Sequence, residues 1–237
     1  MIRVPAALPA QTVRWHEFPD DTSLLANALA RVLAAARDAI TQHGAFDIVL
    51  AGGNTPRKLY RALRNADTDW ARWHVWFGDE RCAPPDDPER NSRMACDEWL
   101  DHIAMLATNV HPIPAEAGAR DAAVLYAREL RGVDAFDLVL LGLGEDGHTA
   151  SLFPGRDWGA HADSPDVLAV FKAPKPPPER VSLSAQRLSR ARHVMFLAEG
   201  AGKRDAVAAW KRGDAIPAAS IAPESSVDVL LDVAAAT

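Results

Sequence analysis

Phe136-Asp137-Leu138-Val139-Leu140-Leu141-Gly142-Leu143-Gly144-Glu145-Asp146-Gly147-His148-Thr149-Ala150-Ser151-Leu152-Phe153-Pro154 is the stretch that decides how this chain folds. Its first half is a continuous apolar run of strand length, as expected of a strand buried on both faces. Its second half is a glycine-rich turn that presents an acid, Asp146, and a histidine, His148, two positions apart. Outward from here the same pattern recurs, an apolar run opening into a polar glycine turn.

Residues 46–51 form one such run and lead at once into Gly52-Gly53-Asn54-Thr55-Pro56. There Thr55 is placed to cap a helix whose first residue is Pro56, a position that needs no amide hydrogen. Residues 73–77 lead into Gly78-Asp79-Glu80-Arg81, and residues 193–197 into Glu199-Gly200-Ala201-Gly202-Lys203-Arg204 and a helix reaching Lys211. Near the start, residues 12–18 read as a strand, and Asp20-Asp21-Thr22 opens a helix along which Leu25, Leu29, Val32, Leu33, Ala36 and Ile40 recur before Gly44 closes it. A proline- and aspartate-rich loop, 83–90, precedes a helix from Asn91 marked by Met94, Trp99, Ile103 and Leu106. Residues 110–114, 167–171, 180–183 and 227–231 read as further strands, with helices over 122–130 and from Ala185.

About six βα steps, no repeat of fixed period and no linker predict one α/β domain over residues 1–237. The expected architecture is Rossmann-like, a mostly parallel sheet covered by helices on both faces. Such sheets bind ligands beyond the carboxyl ends of their strands, so the polar turns are expected to share one pocket.

The composition, 48% hydrophobic and 24% charged over 237 residues, is that of a globular protein of enzyme size. A net charge of −6 without a clustered basic tract argues against a nucleic-acid footprint, so an anionic ligand must be caught locally. Cys82 and Cys96 lack metal-site or redox spacing, which points to a reduced, cytoplasmic protein. Met1-Ile2-Arg3-Val4-Pro5 does not begin a secretory leader, and Asn27, Arg31, Arg37 and Asp38 interrupt the alanine-rich segment 24–40. No membrane association is expected.

Each turn has a chemical reading. The Gly52 to Pro56 turn offers open backbone amides, the Thr55 hydroxyl and a helix N-terminus, all suited to phosphate, but it lacks the Lys-Ser/Thr pair of a P-loop. Arg81 suits a phosphate or a developing oxyanion. Gly142 to Gly147 matches the dinucleotide pattern G-x-G-x-x-G, yet it comes late in the chain and reaches Pro154 too soon to open a full helix. The better reading makes His148 a base held on a tight turn, with Asp146 orienting it. Lys203 and Arg204 sit at a helix start, where a cation is explained by a bound anion.

Four blocks together carry a resemblance to a known family: Leu50 to Pro56, Trp76 to Arg81, Asp137 to Pro154 and Pro176 to Leu183. In this order they resemble the 6-phosphogluconolactonases. The resemblance implies a single domain related to glucosamine-6-phosphate deaminase and a hydrolase of the oxidative pentose phosphate pathway that needs no cofactor or metal. Its substrate would be a small-molecule sugar-phosphate lactone, 6-phospho-D-glucono-1,5-lactone, and its product 6-phosphogluconate. On the matching positions His148 would be the general base, Asp146 its partner, and Arg81 a contact to phosphate or oxyanion. Gly52, Gly53, Asn54, Thr55, Lys203 and Arg204 would hold the phosphate. The protein would be a monomer or small homo-oligomer. The chain departs from the family pattern at Asn54 and Ala51, where serine is usual. Two rival readings are an amino-sugar-phosphate deaminase and a silent sugar-phosphate sensor, the latter disfavoured because only about eleven residues precede the first strand.

Overall fold

The computed structural model describes residues 11–237; the opening residues discussed above, Met1 to Pro5, lie outside it. The first half of the chain runs β1 (Val13–Phe18), α1 (Asp21–His43), β2 (Phe46–Leu50), α2 (Asn54–Leu63), β3 (Trp73–Phe77), β4 (Asp79–Arg81), α3 (Asn91–Glu98), β5 (Val110–His111) and α4 (Ala119–Glu129). The second half runs β6 (Phe136–Gly142), β7 (Val167–Val170), β8 (Arg180–Leu183), α5 (Ala185–Ser189), β9 (Ala191–Ala198), α6 (Arg204–Arg212), β10 (Val227–Asp232) and α7 (Val233–Ala236).

Seven strands form one sheet in the order β1-β10-β9-β6-β2-β3-β5, every neighbouring pair parallel, with helices along it. β6 lies at the centre, in keeping with its apolar run Leu138 to Leu141. The register sets Leu50 beside Phe77 and Gly142 beside Leu197, so the turns after β2, β3, β6 and β9 leave the sheet at one end. A second, antiparallel sheet, β4-β8-β7, stands beside that end, with α4 against β7 and β8.

Local chemistry explains the elements. Asp20 caps α1 by accepting the Ser23 N–H at 2.8 Å, and Gly44 ends it with φ of 89° and its N–H on the Ile40 carbonyl. One face of α1, from Leu24 through Ala28, Val32 and Ala36 to Ala39, is buried, and fully burying a side chain of leucine size contributes about 1.5–3 kcal/mol. Two buried tyrosines then brace the strand ends that carry the turns. The Tyr60 hydroxyl donates to the Ala51 carbonyl at 2.7 Å and accepts the Ala51 N–H at 2.9 Å. The Tyr126 hydroxyl does the same for Phe77, at 3.2 and 2.9 Å. Burial pushes both phenols up, so they stay neutral donors.

Three expectations need correction. Thr55 does not cap α2: the helix begins at Asn54 behind Gly53, whose φ of 106° suits glycine, and no side chain caps it. Asp79 to Arg81 is not part of a turn but a strand of the second sheet. The helix from Asn91 stops at Glu98 and gives way to a 3-10 turn at Leu100–His102, leaving Ile103 and Leu106 beyond it. Among the described residues no helix is long and apolar enough to cross a membrane.

Candidate active site

At the carboxyl end of the parallel sheet a cavity of about 290 Å³ is walled by the turns after β2, β3, β6 and β9 and by the loop before β8. Gly52, Gly53, Arg81, His148 and Lys203 all line it. Arg81 and Gly53 also line an adjoining cavity of about 200 Å³, which takes in Asn54. Thr55, Asp146 and Arg204 line neither. Asp146 is hydrogen-bonded to His148 Nδ1, and the Arg204 guanidinium is turned to the Ala234 carbonyl, 2.8 Å away.

The histidine turn is built by its glycines. The Gly144 N–H donates to the His148 carbonyl at 2.7 Å and the Gly147 N–H to the Gly144 carbonyl at 3.0 Å, closing a tight loop. A Cβ on Gly144 would lie 2.0 Å from His148 Nδ1, so the imidazole rests directly on that residue's backbone. Gly147 takes φ of 82° against Ile216. The Thr149 hydroxyl ties the turn back to the Gly142 carbonyl at 2.9 Å. No helix follows, only a bridge between Thr149 and Leu152, so the glycine pattern here shapes a loop and not a dinucleotide site.

Asp146 accepts both the His148 backbone N–H, at 3.1 Å, and the ring Nδ1. Burial pushes the Asp146 carboxyl up, but the ring and backbone hydrogen bonds of His148 outweigh it, and the group lies below its ordinary value. An ionised acceptor on Nδ1 places the proton there and leaves the lone pair of the neutral ring on Nε2. The ring is further seated beside Phe153, centroids 5.0 Å apart.

The strand Asp79–Arg81 divides its labour. Glu80 is fully buried and accepts the N–H groups of Asn91, Ser92 and Arg81 at 2.7, 2.8 and 2.9 Å, with Arg90 Nε at 3.4 Å. It holds the positive end of α3 and is spent on structure. Arg81 reaches Glu89 through one terminal nitrogen, while its Nε is buried without a partner among the described residues.

Two cations were not singled out from the sequence. Lys175 and Arg180 line the cavity from the proline-rich loop and the start of β8. Arg180 donates to the carbonyls of Lys175, Pro176 and Pro177 at 3.1, 2.9 and 3.1 Å, which fixes the loop over the cavity. Burial lowers Arg180, partly opposed by Asp79. Burial also lowers Lys203; Glu145 opposes the shift and Lys175 adds to it. The only sequence signal for the pair was their place within or beside the Pro176 to Leu183 block.

The site therefore juxtaposes an oriented imidazole with four side-chain cations, Arg81, Lys175, Arg180 and Lys203, and an uncapped helix N-terminus. Chemically it is suited to hold an anionic substrate while a proton is taken from water. Among the described residues no group of three His, Cys, Asp or Glu side chains is arranged to hold a metal. Cys82 and Cys96 are free, and burial pushes the Cys82 thiol up to about 11.

Residues 19–230 match the family described as glucosamine-6-phosphate isomerases/6-phosphogluconolactonase. A 6-phosphogluconolactonase of a Nostoc species is 36% identical over 92% of this chain and 94% of its own length. One from Mycobacterium leprae is 37% identical over 89% of this chain and 90% of its own. The solved structure of a 6-phosphogluconolactonase from Trypanosoma brucei, 28% identical, superposes with a TM-score of 0.84 over 95% of this chain and 97% of that one.

Proposed function

The chain belongs to the glucosamine-6-phosphate isomerase/6-phosphogluconolactonase family, and from that premise we propose that it hydrolyses 6-phospho-D-glucono-1,5-lactone to 6-phosphogluconate. The observation that carries this reading is His148, locked through Nδ1 to Asp146 with Nε2 left for a cavity lined by four cations. Both relatives described above are lactonases, which favours this activity over the deaminase also named by the family description.

In this mechanism the phosphate is held by Lys203, by the Gly52-Gly53 turn and by one or more of Arg81, Lys175 and Arg180. Anchoring the phosphate end positions the lactone carbonyl, so that only water has to be delivered. His148 Nε2 takes a proton from that water as its oxygen bonds to C1. The C1 carbonyl becomes an oxyanion, which a neighbouring guanidinium or ammonium stabilises. As the oxyanion collapses the bond from C1 to the ring oxygen breaks, and the imidazolium returns its proton to that oxygen. Asp146 keeps the ring in the required tautomer and supports its transient charge. The reaction consumes only lactone and water.

This activity places the protein in the oxidative pentose phosphate pathway, and the reduced Cys82 and Cys96 accord with a cytoplasmic setting. The test is a coupled spectrophotometric assay on freshly generated lactone, run beside an ammonia-release assay on glucosamine 6-phosphate. The proposal expects turnover in the first and none in the second. Ammonia release without lactone hydrolysis would replace it with the deaminase reading.

A further inference from the structure

One polar side chain on the cavity wall differs in kind from the rest. Asn91, the first residue of α3 and only 5% exposed, lines the cavity behind the Gly52 turn. Its Nδ2 donates to Asp79 twice, to the backbone carbonyl and to Oδ1, each at 2.9 Å. Both amide hydrogens are thereby used. The orientation of the amide follows, because a flipped group would set its oxygen against two acceptors.

Asn91 Oδ1 accordingly points the other way, toward Gly52. A Cβ on Gly52 would lie 2.1 Å from it, so the close approach requires glycine there. Among the described residues no donor reaches Oδ1. The acceptor is also rigid, since Asp79 is only 5% exposed and its Oδ2 accepts the Ser151 hydroxyl at 2.6 Å, while the Ser151 N–H donates to the Ser182 hydroxyl at 3.2 Å.

The cations on this wall match phosphate or oxyanion, and neither of those has a proton to give an amide oxygen. Of the groups the lactone itself carries, only its hydroxyls complement an open, fixed acceptor. We infer that Asn91 is a specificity-determining residue that accepts a hydrogen bond from one ring hydroxyl of the lactone, with Asp79 as the positioning residue that sets its amide. This rests on the lactonase reading and deepens it. The site selects a polyhydroxylated phospholactone over its deoxy counterparts, because the analogue would bury the Asn91 oxygen unpaired.

The test measures kcat/KM on 6-phosphogluconolactone and its 2-deoxy, 3-deoxy and 4-deoxy analogues, for wild type, Asn91→Ala and Asn91→Ser. In the wild type one of the three analogues is expected to fall roughly tenfold or more below the parent. That ratio is expected to shrink to within about threefold in both variants, whatever their absolute rates, which a purely structural role for Asn91 would not produce. The wild-type series stands without either variant, so poor folding of Asn91→Ala leaves the test intact. If the wild type turns over the parent but treats all three analogues alike, or the variants keep the discrimination, the inference about Asn91 is wrong while the lactonase reading survives. If the wild type hydrolyses no phospholactone, the reading fails and the inference with it.

Discussion

The two ends of the parallel sheet carry cavities of opposite character. The carboxyl-end cavity is the smaller, about 290 Å³, and the amino-end one, beside the starts of β6, β9 and β10, is about 960 Å³. At the larger, Arg190 is paired with Asp166, Arg192 lies 3.2 Å from the buried Asp137, and alanines and serines form much of the wall. At the smaller, among the described residues, Asn91 keeps a free oxygen and an uncapped helix faces the same turn, while a buried guanidinium Nε without a partner occurs at both cavities, on Arg81 and on Arg190. Charges that are neutralised within the chain stabilise it; charges and dipoles left open are available to a ligand. On the proposed function, volume is the poorer guide.

Variants at the two ends can break this contrast, and the largest effect is expected at His148. His148→Ala removes the proposed base and is expected to lower kcat by about 10²–10⁴, read in the coupled lactone assay. Arg81→Ala removes a charged donor and is expected to raise KM by roughly ten- to a hundredfold with a smaller change in kcat. Smaller again is the effect of Asp228→Asn, near the amino end of β10, where Arg14, His16 and Arg31 converge on the carboxylate. Burial pushes that carboxyl up, but the hydrogen bonds from Arg14 and His16 and the charges of Arg14 and Arg31 outweigh it and leave it below its ordinary value.

A lowered folded-state value means that Asp228 adds stability above the unfolded carboxyl value of about 3.9, and that this is lost as the pH falls through the lower folded value. Asp228→Asn is expected to lower Tm at neutral pH by roughly 2–4 °C, for a network worth about 1 kcal/mol, with the gap to wild type closing in acid. Turnover should be retained. The smallest effect belongs to Arg192→Ala at the large cavity, for which kcat/KM is expected to stay within about twofold of wild type. A tenfold loss there would mean that the amino end takes part in function.

The sequence disclosed the βα frame because its strands are apolar runs that end abruptly in glycine turns. The mostly parallel sheet and the gathering of Gly52, Arg81, His148 and Lys203 at one end follow from that pattern. What it hid was polar structure that looks like surface. Glu80 sits between two other charges, and nothing local reveals that Asn91 and Ser92 will draw it into the interior. The second sheet was obscure for the same reason, since β4 is Asp-Glu-Arg. Lys175 belongs to an irregular loop whose carbonyls find their donor, Arg180 at the start of β8, only in three dimensions. Thr55 misled because a threonine before proline is a plausible cap, whereas Gly53 already supplies the backbone bend.

The central claim is that base and anion clamp are separate parts of one cavity, His148 on the turn after β6 and the clamp on other turns. Its most direct test is calorimetric binding of 6-phosphogluconate to wild type and to His148→Ala. The account predicts a Kd within about threefold between them although turnover is lost, since no phosphate contact depends on His148. Loss of product affinity together with turnover, in a variant that unfolds at the wild-type temperature, would contradict it.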